Sequence, residues 1–363
     1  MRECNKTWNK LVNHPSCWKY TSLNTDEWIL DEKLVKKFSY VGKLITPALN
    51  SSNINLLKQF EHVNSLYLYD DEGVSHLLQT SQIFPKLTSL FSKPWNKNTI
   101  STDNFNYNFA FSSSLTDLTL VNRTFTSLEN LPQTFPALKR LELKYFELLD
   151  HDFSYLSKLE HLTSLKLNYF YIEGILESEY LDKIIEEESS SLYPIFSKIE
   201  ELQLGGIYVY HLPKFILYQN KKMIHNLHRL VLNISFQKEE KMEWWNSFLF
   251  SHNSSEEKYS IYIQELTIIL SWSSQHTDKR EVILHSSFFN FFKGIKKLTY
   301  VITSGLKQVL PPSTLINNNK NTLFELDLKG DFELNPLLKE CKSLSRLVIN
   351  DIVLCEEEKF LVL

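Results

Sequence analysis

Nucleophiles, bases and metal ligands are scattered along the chain. Its eleven histidines form no cluster. The closest approaches to a ligand pair are His225 with His228 and His151 with Asp152, and neither has a third donor near it in sequence, so surface and turn roles are expected for all four. Cys4, Cys17, Cys341 and Cys355 sit towards the two ends without a CxxC spacing, which argues against a redox pair, a zinc knuckle or a disulfide framework. The sequence has no GxxxxGK[ST] phosphate loop, no HExxH and no GxSxG elbow. Catalysis needs a nucleophile with its base, or paired carboxylates, converging in a concavity. The expectation is therefore a chain that is not an enzyme, with no catalytic residue, no metal and no cofactor.

What these side chains can do is recognise another protein. Arg140, Glu142 and Lys144 alternate along one short stretch, and Lys166 occupies the matching place one repeat on. Tyr67 and Tyr69 offer aromatic anchors earlier in the chain, and Glu201 and Arg229 continue the charged series. Arginine and tyrosine are the types enriched where binding energy concentrates. Such residues act together only if the fold brings them onto one face.

A repeated phrase supplies that face: an aliphatic residue, two mostly polar ones, Leu, one variable residue, then another aliphatic. Clear copies are Leu115-Thr-Asp-Leu118-Thr-Leu120, Leu138-Lys-Arg-Leu141-Glu-Leu143, Leu162-Thr-Ser-Leu165-Lys-Leu167 and Ile199-Glu-Glu-Leu202-Gln-Leu204, and the phrase continues through Leu230, Leu266, Leu298, Leu326 and Leu347. Val63-Asn-Ser-Leu66-Tyr-Leu68 precedes them. The copies centred on Leu44 and Leu90 lose the final aliphatic to Thr46 and Ser92. From Leu44 to Leu347 the anchors recur at intervals of 21 to 37 residues. Side chains alternate faces along a strand, so the anchor and the next aliphatic but one point inward together while their neighbours face out. One such strand cannot bury its own apolar face, and stacking neighbours in a parallel sheet does so.

Over roughly residues 41–354 this pattern resembles the leucine-rich-repeat family. The resemblance implies an α/β fold: a right-handed solenoid with a parallel sheet on its concave face and an irregular, helical convex side. It further implies about 12 repeats over residues 23–363, preceded by a short helical cap over residues 1–22. The chain departs from the family three residues past the second strand leucine, where the family often has an asparagine or cysteine, and carries Arg123, Phe146, Phe170, Ile207 and Asp331 there. Aromatic filling of the convex layer is expected instead. The longest intervals hold the polar stretches 186–191, 251–257 and 271–280, which read as surface loops.

If the sheet lines the binding wall, the residues flanking each anchor form columns. The column just before the anchors runs Asp117, Arg140, Ser164, Glu201, Arg229, Glu265, Lys297, Glu325 and Arg346. The one just after includes Thr119, Glu142, Lys166, Gln203, Val231, Thr267, Thr299 and Asp327. Alternating sign suits either a polar protein epitope or a face that pairs with itself. The partner-binding candidates are Tyr67, Tyr69, Arg140, Glu142, Lys144, Lys166, Glu201 and Arg229.

At the amino terminus, Cys4, Trp8, Leu11 and Val12 fall on one helical face, and Pro15 ends the run. The spacing Cys4, Trp8, Leu11, Pro15, Trp18 resembles the second half of an F-box, and its pairing with downstream repeats resembles the F-box/leucine-rich-repeat class. That resemblance implies contact with a Skp adaptor through Trp8, Leu11, Pro15 and Trp18, and membership of a cullin-RING ubiquitin ligase. The module's opening Leu-Pro-x-Glu half has no counterpart after Met1, which leaves two expectations: a missing upstream segment, or a relict helix that caps the first repeat with Trp8 and Trp18 in its core.

Net charge is −4, with 39 basic and 43 acidic residues, so no overall field draws the chain to nucleic acid or an anionic membrane. No run of 18 apolar residues and no signal-peptide core occurs, which leads us to expect a cytoplasmic or nuclear protein in which the Asn-x-Ser/Thr matches are accidental. The expected function is substrate recognition for a ubiquitin ligase. The alternative is a free-standing intracellular repeat scaffold or inhibitor with no ligase role.

Overall fold

Because the anchor phrase is short and the segments between copies vary in length, the repeats can stack only if the strands keep one register while the returns absorb the differences. The computed structural model of the chain shows this arrangement. It describes residues 22–24, 32–38, 40–46, 54–69, 80–93, 101–103, 109–169, 191–206, 226–236, 261–272, 292–303, 313–330 and 340–354. Two compact units divide the chain, residues 1–163 and 164–363. The amino-terminal cap with Trp8, Leu11, Pro15 and Trp18 lies outside the described residues.

The first unit contains β1 (Ser22–Asn24), β2 (Lys43–Thr46), β3 (Ser65–Tyr69), β4 (Ser89–Lys93), β5 (Ser101–Asp103), β6 (Asp117–Val121), β7 (Arg123–Phe125) and β8 (Arg140–Leu148). Strands β1, β2, β3, β4, β6 and β8 run parallel, with Leu23, Leu44, Leu66, Leu90, Leu118 and Leu141 directly opposite one another across successive pairs. The second unit contains β9 (Ser164–Tyr169), β10 (Glu201–Gly205), β11 (Arg229–Phe236), β12 (Ile261–Tyr262), β13 (Glu265–Trp272), β14 (Phe292–Lys293), β15 (Lys297–Ile302), β16 (Glu325–Lys329), β17 (Arg346–Ile349) and β18 (Ile352–Leu354). Here Leu165, Leu202, Leu230, Leu266, Leu298, Leu326 and Leu347 form the same unshifted series through β9, β10, β11, β13, β15, β16 and β17. Each unit is thus a mostly parallel sheet of stacked, in-register repeats of one short phrase, and its anchor leucines are buried.

A shared backbone device starts the strands. The carbonyl two residues before one anchor accepts two N–H groups from the next repeat: Thr88 O takes Thr116 N and Asp117 N, Thr116 O takes Lys139 N and Arg140 N, and His228 O takes Gln264 N and Glu265 N. Strand ends share a second device. Asn122, Tyr145, Gly206 and Gly330, each four residues past its anchor, have φ of 54°, 50°, 71° and 138°. In β8 this residue shifts the alternation: Leu141 and Leu143 are buried before it and Phe146 and Leu148 after it. The chain turns a corner and pairs again, with Thr124 opposite Glu147 and Phe125 opposite Leu148.

The corner explains the residues that replace the family asparagine. Arg123 and Phe146 follow directly on left-handed residues and point inward, 1% and 0% exposed. The Arg123 guanidinium donates to Ser92 Oγ at 2.8 Å. Ser92 is the residue that stands where β4 should bury an aliphatic, so two departures from the pattern meet in one hydrogen bond. Phe170, Ile207 and Asp331 lie outside the described residues.

The described returns are short: helices Glu32–Phe38, Ile54–Leu57, Leu131–Thr134 and Ser313–Asn319, and 3₁₀ turns Ser154–Lys158 and Tyr193–Ile195. Phenylalanines fill the layer behind the strands. Phe109, Phe111 and Phe135 stack at 5.5 to 6.2 Å, and Phe146 meets Phe153 edge-on at 6.0 Å. In the second unit Asn319 is 2% exposed; its amide donates to Phe292 O at 3.1 Å and Leu315 O at 2.9 Å, and its Oδ1 accepts Ile295 N at 3.1 Å. One side chain therefore ties its own helix to the Gly294 turn of the preceding repeat. The last parallel strand folds back as a hairpin: β18 runs antiparallel to β17, through Asn350 and Asp351 at φ 48° and 67°. Positive φ at both turn residues matches the right-handed twist of the strands it joins.

Two stability outcomes follow from these contacts. Asn319→Ala leaves buried backbone groups of two repeats without partners and is expected to cost about 2–4 kcal/mol in urea unfolding, since each such group costs about 1–3 kcal/mol. Tyr145→Gly is expected to stabilise the first unit by about 1 kcal/mol, because Tyr145 is 55% exposed and holds a left-handed conformation that costs an L-residue roughly that much. A fall in melting temperature for Tyr145→Gly would show that the exposed ring contributes more than the corner costs.

Candidate protein-binding face

Unshifted register has a direct consequence for the other side of the strands: their outward residues also align. In β3 and β4 burial alternates along the strand, with Leu66, Leu68, Leu90 and Ser92 inward and Ser65, Tyr67, Tyr69, Ser89, Phe91 and Lys93 half-buried on the outward side. On the outward side, side chains from many repeats meet solvent in ordered rows, and it is where the candidate residues lie.

In the first unit, Arg140 pairs with Asp117 on the neighbouring strand, and Thr116 Oγ1 donates to the other Asp117 oxygen at 2.6 Å. Glu142 takes Lys144 Nζ at 3.1 Å and Thr119 Oγ1 at 3.2 Å. In the second unit, Glu201 is the hub: Ser164 Oγ donates to it at 2.8 Å, Arg229 Nη1 lies at 2.8 Å and Lys166 Nζ at 4.0 Å. Arg229 reaches on to Glu265 at 3.6 Å, and Glu325 accepts both Lys297 at 3.5 Å and Arg346 at 3.3 Å. The charges of the first column therefore pair with one another across strands. Arg140, Glu142, Lys144, Lys166, Glu201 and Arg229 are outward, as expected from the sequence, and each is engaged by an internal partner.

The tyrosines are arranged differently. Tyr67 stacks on Phe91 with ring centroids 4.9 Å apart and planes 17° from parallel, and Tyr69 meets the same ring at 5.9 Å. Lys43 Nζ lies 4.1 Å from the Tyr67 ring centre. Sequence reasoning found the two tyrosines and missed Phe91, Lys43 and Lys93. The available signal was position: each sits in an outward column, but in a copy of the phrase that ends in Ser92 or Thr46 and so attracts less notice.

Residues considered for metal or acid–base chemistry serve local structure. Asp150 Oδ1 accepts Asp152 N at 3.2 Å and Asp152 Oδ1 accepts Ser154 N at 2.8 Å, forming the turn into Ser154–Lys158. Burial, with help from Glu129, Asp152 and Asp150, raises the Tyr155 hydroxyl pKa above its ordinary value. The Cys341 thiol is pushed up by burial and by Glu340, away from the thiolate form a nucleophile needs. His228 Nδ1 lies 3.5 Å from Gln264 Nε2, and His225 is outside the described residues. Among the described residues no three His, Cys, Asp or Glu side chains are grouped as a metal site would require, and no helix is long and apolar enough to cross a membrane.

No protein-family model and no curated protein matches the chain. Among solved structures, a leucine-rich-repeat protein of Leptospira interrogans is similar at 14% identity, over 98% of this chain and 95% of that one, with a TM-score of 0.31. Superposition at that level is loose, and the repeat assignment stands on the strand register itself.

Glu201→Gln removes the carboxylate that Ser164, Arg229 and Lys166 share. Because these partners are partly exposed, the expected loss is about 1 kcal/mol or less, shrinking as salt is raised. Thermal melts at low and high ionic strength check it; a loss that persists in high salt would mean that packing, not charge, is what Glu201 contributes.

Proposed function

We propose that the chain is a protein-binding scaffold that performs no chemistry itself. It holds a target protein on the outward face of its repeat sheet, and the segment carrying Trp8, Leu11, Pro15 and Trp18 engages a Skp adaptor. On this reading it is a substrate-recognition subunit of a cullin-RING ubiquitin ligase, working in the cytoplasm or nucleus. The observation that carries the protein-binding part is the unshifted register. It sets outward side chains of successive repeats in rows one strand spacing apart, which suits a partner read at several points along the sheet. The ligase part is supported by the spacing of the amino-terminal phrase.

Purified Skp adaptor, alone and with cullin, is the probe. Capture by the full chain, lost in Leu11→Ala/Trp18→Ala while the repeat domain keeps its melting temperature, is the expected result. Absence of capture, both for the chain as given and for a form extended upstream in its reading frame, would remove the ligase role and leave a free-standing scaffold or inhibitor.

A further inference from the structure

We infer that the outward surface of β2, β3 and β4 is a docking site for an acidic segment of a partner protein that inserts one aromatic or aliphatic side chain. The inference rests on the protein-binding reading above and names the site and partner chemistry within it. Ile45, Tyr67 and Phe91 are directly opposite one another on the three strands, and Tyr69 closes on Phe91 from the next outward position. The matching column in the second unit runs Lys166, Gln203, Val231, Thr267, Thr299, Asp327 and Val348, without an aromatic side chain. Large rings kept at half-exposed outward positions, stacked on one another across the strands rather than turned inward, make an apolar platform of ring edges. Two strand spacings make it roughly 10 Å across, about the diameter of one helix.

The charge pattern selects the occupant. Outside the platform, the outward cations Arg140, Lys144, Lys166, Arg229, Lys297 and Arg346 each face a carboxylate. On the platform Lys43 lies against the Tyr67 ring, and Lys93 stands opposite Tyr69 on the neighbouring strand. Among the described residues neither pairs with a carboxylate, and the column beside the rings continues with neutral Ser65 and Ser89. The nearest acidic side chain in that column, Asp117, is held by Arg140 and Thr116. Rings flanked by two cations that meet no carboxylate among the described residues complement a segment with carboxylates on either side of an apolar side chain, because opposite charge steers the encounter and the ring contact supplies the holding energy.

The test pans a random peptide library against the full chain, then measures recovered peptides by fluorescence anisotropy. The expected binders carry an aromatic or large aliphatic residue flanked by two or more Asp or Glu. Their affinity should fall at least about tenfold in Tyr67→Ala/Phe91→Ala, as for hot-spot residues, fall several-fold in Lys43→Gln/Lys93→Gln, and weaken with salt, while circular dichroism melts show both variants folded. Peptides that bind the variants as well as the unaltered chain would overturn the platform and leave the protein-binding reading standing; a library yielding no binder to any face would count against both. The chain's own Asp70, Asp71 and Glu72 follow Tyr69 in sequence. Binding that appears only in Asp70→Asn/Asp71→Asn/Glu72→Gln would mean that this run already occupies the lysines, and would overturn the proposal.

Discussion

A strand of about five residues with a single apolar face has nothing to bury that face against except its own likeness, and the rest of this structure depends on that constraint. The anchor leucines meet without offset from Leu23 to Leu141 in one unit and from Leu165 to Leu347 in the other. A slip of one residue in β3 would put Leu66 and Leu68 into solvent and Tyr67 into the core. Register is therefore the quantity under strongest restraint, and return length is nearly free. That is why intervals as different as 21 and 37 residues coexist in one chain.

Local departures from the pattern are tolerated where a second residue answers them. Ser92 puts a hydroxyl where an aliphatic belongs, and Arg123, delivered inward by the left-handed corner at Asn122, supplies the donor it needs. A buried hydroxyl left alone would cost roughly 1–3 kcal/mol, and a buried guanidinium without an acceptor more. Asn319 meets a similar need on a different element. An asparagine near the end of a return helix satisfies the turn of the neighbouring repeat. Irregular sequence and regular sheet are compatible because the strands impose the backbone path while the layer behind them fills space with whatever aromatics it has.

The strand positions were legible from the sequence because the phrase has period two and recurs. Even the loose copies at Leu44 and Leu90 take their places in register. That Arg123 and Phe146 break the pattern was legible in the sequence, but the inward placement of Arg123 was not. Nor was the cause, since a positive φ at Tyr145 has no signature in a bulky residue. On the outward face, residue type revealed the tyrosines and the charged columns, but pairing across strands depends on which rotamers meet. Arg140 and Arg229 therefore read as binding residues, although both are engaged internally. Phe91 and Lys93 escaped notice for the opposite reason, being contributed by a copy whose inward half is polar.

Self-pairing along the first column has an effect beyond its small energy. Like charges set directly opposite on neighbouring strands repel, so a column alternating Glu201, Arg229, Glu265 and then Lys297, Glu325, Arg346 disfavours exchanges that would set two strands of like sign side by side. The same neutralisation leaves that stretch little net field with which to attract a partner. Lys43 and Lys93, which take no part in such pairing among the described residues, retain theirs, and they do so beside the outward rings. Division of labour between a charge-paired stretch that fixes order and an aromatic, cationic stretch free to bind follows from where the carboxylates fall, without any change in the repeat that carries them.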